Sequence, residues 1–83
     1  MKNLGMQQMI LAILSKLDGI AVRESVLAAE VEIRIGHPLT TDEFGREMKE
    51  LLGRRLVKRS FDVWNEAMYE ITGDGKAALM GRA

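Results

Sequence analysis

Near Leu56 the spacing of apolar residues changes from helical to alternating, and this change narrows the fold more than any other feature. Upstream, Phe44, Met48, Leu51, Leu52 and Leu56 recur at the intervals of one face of an α-helix. Downstream, Val57, Phe61 and Val63 share one parity, as do Ala67, Tyr69 and Ile71. That is the repeat of strands with one covered face. Trp64-Asn65-Glu66 lies between them as a tight connection. The pattern predicts a two-stranded ribbon, which is marginal in water by itself and must lean on the helices before it.

Those helices are legible from their ends. In "NLGMQQMILAILSKLDG", Met6, Met9, Ile10, Ile13, Leu14 and Leu17 form a stripe, with Gln7, Gln8, Ser15 and Lys16 largely off it. Asp18-Gly19 stops this helix, since glycine readily takes the left-handed conformation. Ile20-Ala21-Val22 suffices only for a short strand or an extended link. "RESVLAAEVEIRIG" follows as a second helix, with Val22, Val26, Ala29 and Ile33 as one stripe, broadened by Leu27 and Val31. Gly36 suits its C-terminal cap, and Pro38 forbids continuation. The third helix has the sharpest start: Thr40 as N-cap with Glu43 three residues on is a capping box, and Leu39 with Phe44 a hydrophobic staple. Its Arg46, Lys49, Glu50 and Gly53 point away from the apolar face. After the second strand, Thr72 caps a short terminal helix, Gly73 and Gly75 turn the backbone, and Leu79 returns to the core.

At 83 residues the chain reads as one domain spanning residues 1–83. It has no cysteine and one histidine, His37, placed in a Gly-His-Pro turn. A disulfide or thiolate metal site is therefore excluded, no cofactor is expected, and the composition suits a reducing cytoplasm. No apolar run reaches the length needed to cross a bilayer, so no membrane is expected as a partner. "GDGKAA" lacks the hydroxyl residue after lysine that a phosphate-binding loop requires. Ser15, Ser25 and Ser60 have no base in any recognised local motif, so an enzyme is not expected. Twelve basic and twelve acidic residues cancel, which argues against non-specific coating of nucleic acid. The distribution is uneven: "RRLVKR", Arg54 to Arg59, holds four cations and no acid.

The whole pattern predicts an α+β winged helix-turn-helix, with three helices as its core, a two-stranded β-ribbon as its wing and a short C-terminal helix. "LLGRRLVKR" leading into the first wing strand, and "YEITGDGKAAL" with Thr72, Gly75 and Leu79 after the second, resemble the winged-helix DNA-binding proteins. The resemblance is to bacterial regulators of the MarR and PadR type and covers about residues 20–79. It implies a transcriptional regulator that binds double-stranded DNA through its third helix. Thr41, Arg46 and Lys49 would then approach base edges and phosphates, and Arg54, Lys58 and Arg59 would neutralise phosphates beside them. Glu43, Glu47 and Glu50 on the same helix oppose that use. The chain departs from the family in having no room for long dimerisation helices and no basic wing tip.

Trp64 and Asn65 mark the wing. The Trp64 ring either stacks on a base or partner, or packs across the ribbon over Ala67 or Met68, and the second arrangement is the one expected. Met1, Met6 and Met9 at the first helix suit either the core or a homodimer through that helix. The alternative to DNA binding is a winged helix used for protein–protein contact in a replication or regulatory assembly.

Overall fold

The computed structural model describes residues 4–81. Helix α1 spans Leu4–Lys16, α2 Glu24–Ile35, α3 Thr41–Gly53 and α4 Gly73–Leu79. The strands are β1 Val22–Arg23, β2 Val57–Phe61 and β3 Ala67–Ile71. Met1, named above with Met6 and Met9 at the first helix, lies outside the described residues.

The short strand allowed after Gly19 forms at Val22–Arg23 and joins the expected two-stranded ribbon, making a sheet of three strands. Its order is β1-β3-β2, antiparallel throughout. Val22 sits opposite Tyr69 and Arg23 opposite Met68, so the short link after Gly19 satisfies the second edge of β3. Along the other edge Val57 pairs with Ile71, Arg59 with Tyr69 and Phe61 with Ala67. Ile10, Leu14, Leu27, Val31, Met48 and Leu51 are the most deeply buried side chains. They come from all three long helices, and Val57, Tyr69 and Ile71 close the core from the sheet.

Three helix faces differ from expectation in an informative way. On α1, Leu11 and Gln7 are buried alongside the apolar stripe. On α2, Leu27 and Val31 form the buried ridge, while Val26 and Ile33 stand 51% and 73% exposed. The helix carries two apolar ridges, and Val22 belongs to the sheet and not to the helix. Packing selects the i, i+4 row of Leu27 and Val31 to meet its neighbours. On α3, Glu47 joins Phe44, Met48 and Leu51 in the interior. The β2 alternation also breaks early: only Val57 is buried, the strand ends at Phe61, and Val63 is 88% exposed in the connection.

The expected caps are present. Thr40 Oγ1 accepts from Glu43 N at 3.0 Å and Glu43 Oε1 accepts from Thr40 N at 3.2 Å, completing the capping box. Gly36 ends α2 in the left-handed region at φ 80°, and Leu39 N donates to Glu32 Oε2 at 2.7 Å, tying the link back to α2. At the final corner Thr72 Oγ1 accepts from Gly75 N at 2.9 Å and donates to the Arg55 carbonyl at 2.8 Å. Gly75 serves close approach rather than a turn. It is helical and buried, and a Cβ built there would lie 2.8 Å from Ile71 Cγ1 and overlap the Leu56 carbonyl oxygen.

Candidate nucleic-acid interface

Helix α3 sets out its polar residues by its own geometry. At about 100° per residue, a core face holding Phe44, Glu47, Met48 and Leu51 leaves Asp42, Arg46, Lys49 and Gly53 on the outer side. Arg46 and Lys49 are exposed, and neither side chain is hydrogen-bonded or ion-paired to another described residue. Glu43 and Glu50 fall on the flank beyond Arg46. The Glu43 carboxyl is held below its usual range, first by the Thr40 hydrogen bonds and to a lesser degree by the charges of His37 and Arg46. Arg46 therefore shares the field of Glu43 and Glu50, whereas Lys49 lies toward the other flank of the helix.

Lys49 looks across an open concavity toward the sheet. Leu52, Gly53, Arg59, Tyr69 and Glu24 share that concavity. Arg59 reaches it because positions 57, 59 and 61 of β2 lie on the helix-facing side of the sheet, in register with Ile71, Tyr69 and Ala67. The Tyr69 hydroxyl is pushed up, first by burial and then by the negative charge of Glu24, against the opposing effect of Arg59. Thr41 is exposed at the head of α3 and lines an adjoining groove with Phe44, Gly45 and Ser25.

The remaining cations of the basic run are dispersed. Arg54 turns toward α1, where its Nη1 donates to Gln7 Oε1 at 3.1 Å. Gln7 Nε2 in turn donates to the buried Glu47 Oε1 at 2.8 Å. The glutamine thus bridges an arginine to a buried carboxylate, which is why Glu47 is absent from the outer face of α3. Lys58 projects from the opposite side of the sheet, with Nζ 3.8 Å from Glu70 Oε1. Of the six residues singled out from the sequence, Lys49 and Arg59 are brought together, Thr41 and Arg46 stand along the same helix, and Arg54 and Lys58 point elsewhere.

The wing connection, residues 62–66, is built on two inward-turned acids. Asp62 Oδ1 accepts from Trp64 N at 2.9 Å and Glu66 N at 2.8 Å, an aspartate turn that shapes the loop. Asp62 Oδ2 receives no aligned hydrogen bond, and its charge is met by Arg23 Nε at 3.1 Å. Glu66 Oε2 accepts from both Ser25 Oγ, at 2.6 Å, and Ser25 N, at 3.1 Å. It caps α2 from across the fold, where the N-cap Arg23 offers no side-chain acceptor. These bonds hold the Glu66 carboxyl below its usual range. Asn65 takes φ 65° to close the loop.

Trp64 does not pack across the ribbon as expected. It is 74% exposed, with the Arg23 guanidinium 5.2 Å from its ring centroid. Arg59 lies likewise 5.5 Å from the Phe61 ring. Arg23 and the two loop acids were missed in the sequence. The aspartate two residues before Trp64 was the available signal for the turn, and the third strand was the signal for Arg23.

Among the described residues no cluster of histidine and carboxylate side chains could hold a metal ion, and no helix is long and apolar enough to cross a membrane. No family model matches the chain, and no curated protein matches it. Solved structures do. A structure of RosR from H. salinarum, grown from NaBr, superposes with a TM-score of 0.81 at 21% identity, covering 92% of this chain and 66% of that one. Complex structures of hsRosR-S4 and hsRosR-S1 each give a TM-score of 0.79 at 21% identity, covering 90% of this chain and 63% and 64% of theirs. The chain spans just under two thirds of the length of the solved chains it matches. At this identity the likeness concerns the fold, and the fold of this chain is the winged helix-turn-helix.

Proposed function

We propose that this chain binds double-stranded DNA as a transcription regulator, in the manner of the MarR and PadR proteins, inserting α3 in the major groove. Arg46 and Lys49 meet base edges and phosphates, Thr41 contacts the backbone at the helix head, and Arg59 neutralises a phosphate from the sheet side. Arg54, turned toward α1, and Lys58, on the opposite side of the sheet, add charge only at the margins of this surface, and the wing residues Trp64 and Asn65 lie beside it. The observation that carries this reading is the pairing of Lys49 on α3 with Arg59 on the sheet across one concavity, whose lining also includes the carboxylate of Glu24. The burial of Glu47 supports it, because one of the carboxylates of α3 is withdrawn from the surface. Work in the cytoplasm and a homodimer through α1, with partly buried Met9 at its surface, belong to the same reading.

The test is a titration of labelled duplex at two salt concentrations. Each phosphate contact removed flattens the plot of log K against log salt by about 0.9. Lys49→Ala with Arg59→Ala flattens it most, and Arg54→Ala with Lys58→Ala less, since those two side chains already have protein partners. Absence of binding by the wild type at low salt refutes the proposal. The second reading, a module for protein contact, then rests on Val26 and Ile33, which the fold leaves exposed.

A further inference from the structure

We infer that a second copy of this chain docks on the outer face of α2, each copy inserting Ile33 into the groove between α1 and α2 of the other. Among the described residues, Leu17, Ile20, Val26 and Ile33 are four of the eight large apolar side chains left exposed. All four lie on α2 or in the turn that joins it to α1. Apolar surface gathered in this way marks a face that a partner covers. The groove is walled by Ile13, Leu17, Val22 and Val26. Its shape is fixed, because Ile13 and Val22 belong to the core and Val22 is paired with Tyr69 in the sheet.

A second copy is the occupant because this one face carries both the groove and a projection that fits it. Ile33 follows Val26 by two turns of α2, so both point the same way and stand about 10.5 Å apart along the helix. A two-fold axis through the middle of α2, between Ala29 and Glu30, runs the two helices antiparallel and sets Ile33 of each copy against Val26 of the other. Ala29 is exposed at the crossing, where a small side chain lets the helices approach. The charges are self-complementary in the same arrangement. Lys16 rims the groove and has no hydrogen bond or ion pair to another described residue. Glu30 stands one turn before Ile33, so the incoming helix brings a carboxylate to that lysine. The carboxylate has a second oxygen to offer beside the one held by Arg34 Nη1 at 2.9 Å. The groove shares no lining residue with the concavity of Lys49 and Arg59, so a dimer formed here leaves that surface open. The inference fixes the seam of the homodimer named above at α2 and the end of α1, and it does not depend on DNA binding.

Sedimentation velocity without DNA, over several decades of protein concentration, measures the association. The expected result is a reversible passage from monomer to dimer, weakened at least about 100-fold by Ile33→Ala, because each interface loses two of these side chains. Ile33 is exposed in the single chain, so the dilute variant melts where the dilute wild type does, which shows that its fold is intact. Cross-linking tests the register, and the chain has no cysteine of its own to interfere. Val26→Cys combined with Ile33→Cys gives a covalent dimer under mild oxidation, whereas neither single variant does, since the axis keeps like residues apart. The two positions of one copy are too far apart to bridge internally. A wild type that stays monomeric throughout overturns the inference and leaves the face to a different protein. A dimer that Ile33→Ala does not weaken overturns it too, as does a double-cysteine variant that cross-links no better than the singles. The duplex titration reports separately: a monomer that binds DNA refutes only the dimer, and a dimer that binds none refutes only the DNA reading.

Discussion

Replacing Gly75 with alanine separates two physical expectations by the sign of the result. Gly75 lies inside α4, and alanine is a better helix former than glycine by up to about 1 kcal/mol. Helix propensity alone therefore predicts stabilisation. The structure predicts the reverse. The added Cβ would lie 2.8 Å from Ile71 Cγ1 and would overlap the Leu56 carbonyl oxygen, which is backbone. That oxygen also accepts from Thr72 N at 3.1 Å, so α4 cannot move away without weakening this bond. Overpacking costs about 1–3 kcal/mol and the hydrogen bond about 1 kcal/mol. After the propensity gain, the net loss is about 1–3 kcal/mol, or roughly 5–20 °C in Tm for a chain of this size. Urea titration and thermal melting measure it. Gly45→Ala is the matched control: this glycine is also helical, but its Cβ meets nothing within 4 Å, so that variant is neutral or gains up to about 1 kcal/mol. A Gly75→Ala protein as stable as the parent would refute the close-approach argument.

Two further outcomes follow from the hydrogen bonds. Gln7→Ala strips a donor from the buried Glu47 carboxylate and the acceptor from Arg54, and costs about 2–3 kcal/mol in urea titration, the scale of a hydrogen bond to a charged group. Glu66 has a folded pKa lowered from 4.5 by Ser25, so its contribution is present above pH 4.5 and is lost as the pH falls through the lower folded value. Glu66→Gln therefore flattens the acid side of the stability–pH curve of the wild type, and an unchanged slope would show that the Ser25 bonds are not made in solution.

The ends of the helices were readable from the residues because caps are local. Thr40 with Glu43, Gly36 before Pro38, and Thr72 each act within a few residues, and all stand where expected. The change of period at Leu56 likewise revealed the hairpin, since side-chain direction follows from backbone geometry. What could not be read was set by partners distant in sequence. Val26 and Ile33 form as good a helical stripe as Leu27 and Val31, and only the packing of α2 decides between them. Gln7 looked like a surface residue because its partners, Glu47 and Arg54, are forty or more positions away. The same holds for the candidate interface. Lys49 and Arg59 meet across a concavity that a linear reading cannot weigh, and the compact run from Arg54 to Arg59 disperses because strand residues alternate sides.

The strand order leaves β2 as a five-residue margin with no neighbour beyond it. An open margin of that length invites another copy to add itself, and charge along it is the usual deterrent. Lys58 and Arg59 are consecutive there, one on each face of the sheet, so cations of this strand also keep the molecules from zipping together. Neutralising both at once disarms that protection. Charge-reversed or singly substituted variants are consequently the sounder probes of this surface, and light scattering belongs beside every binding curve recorded with them.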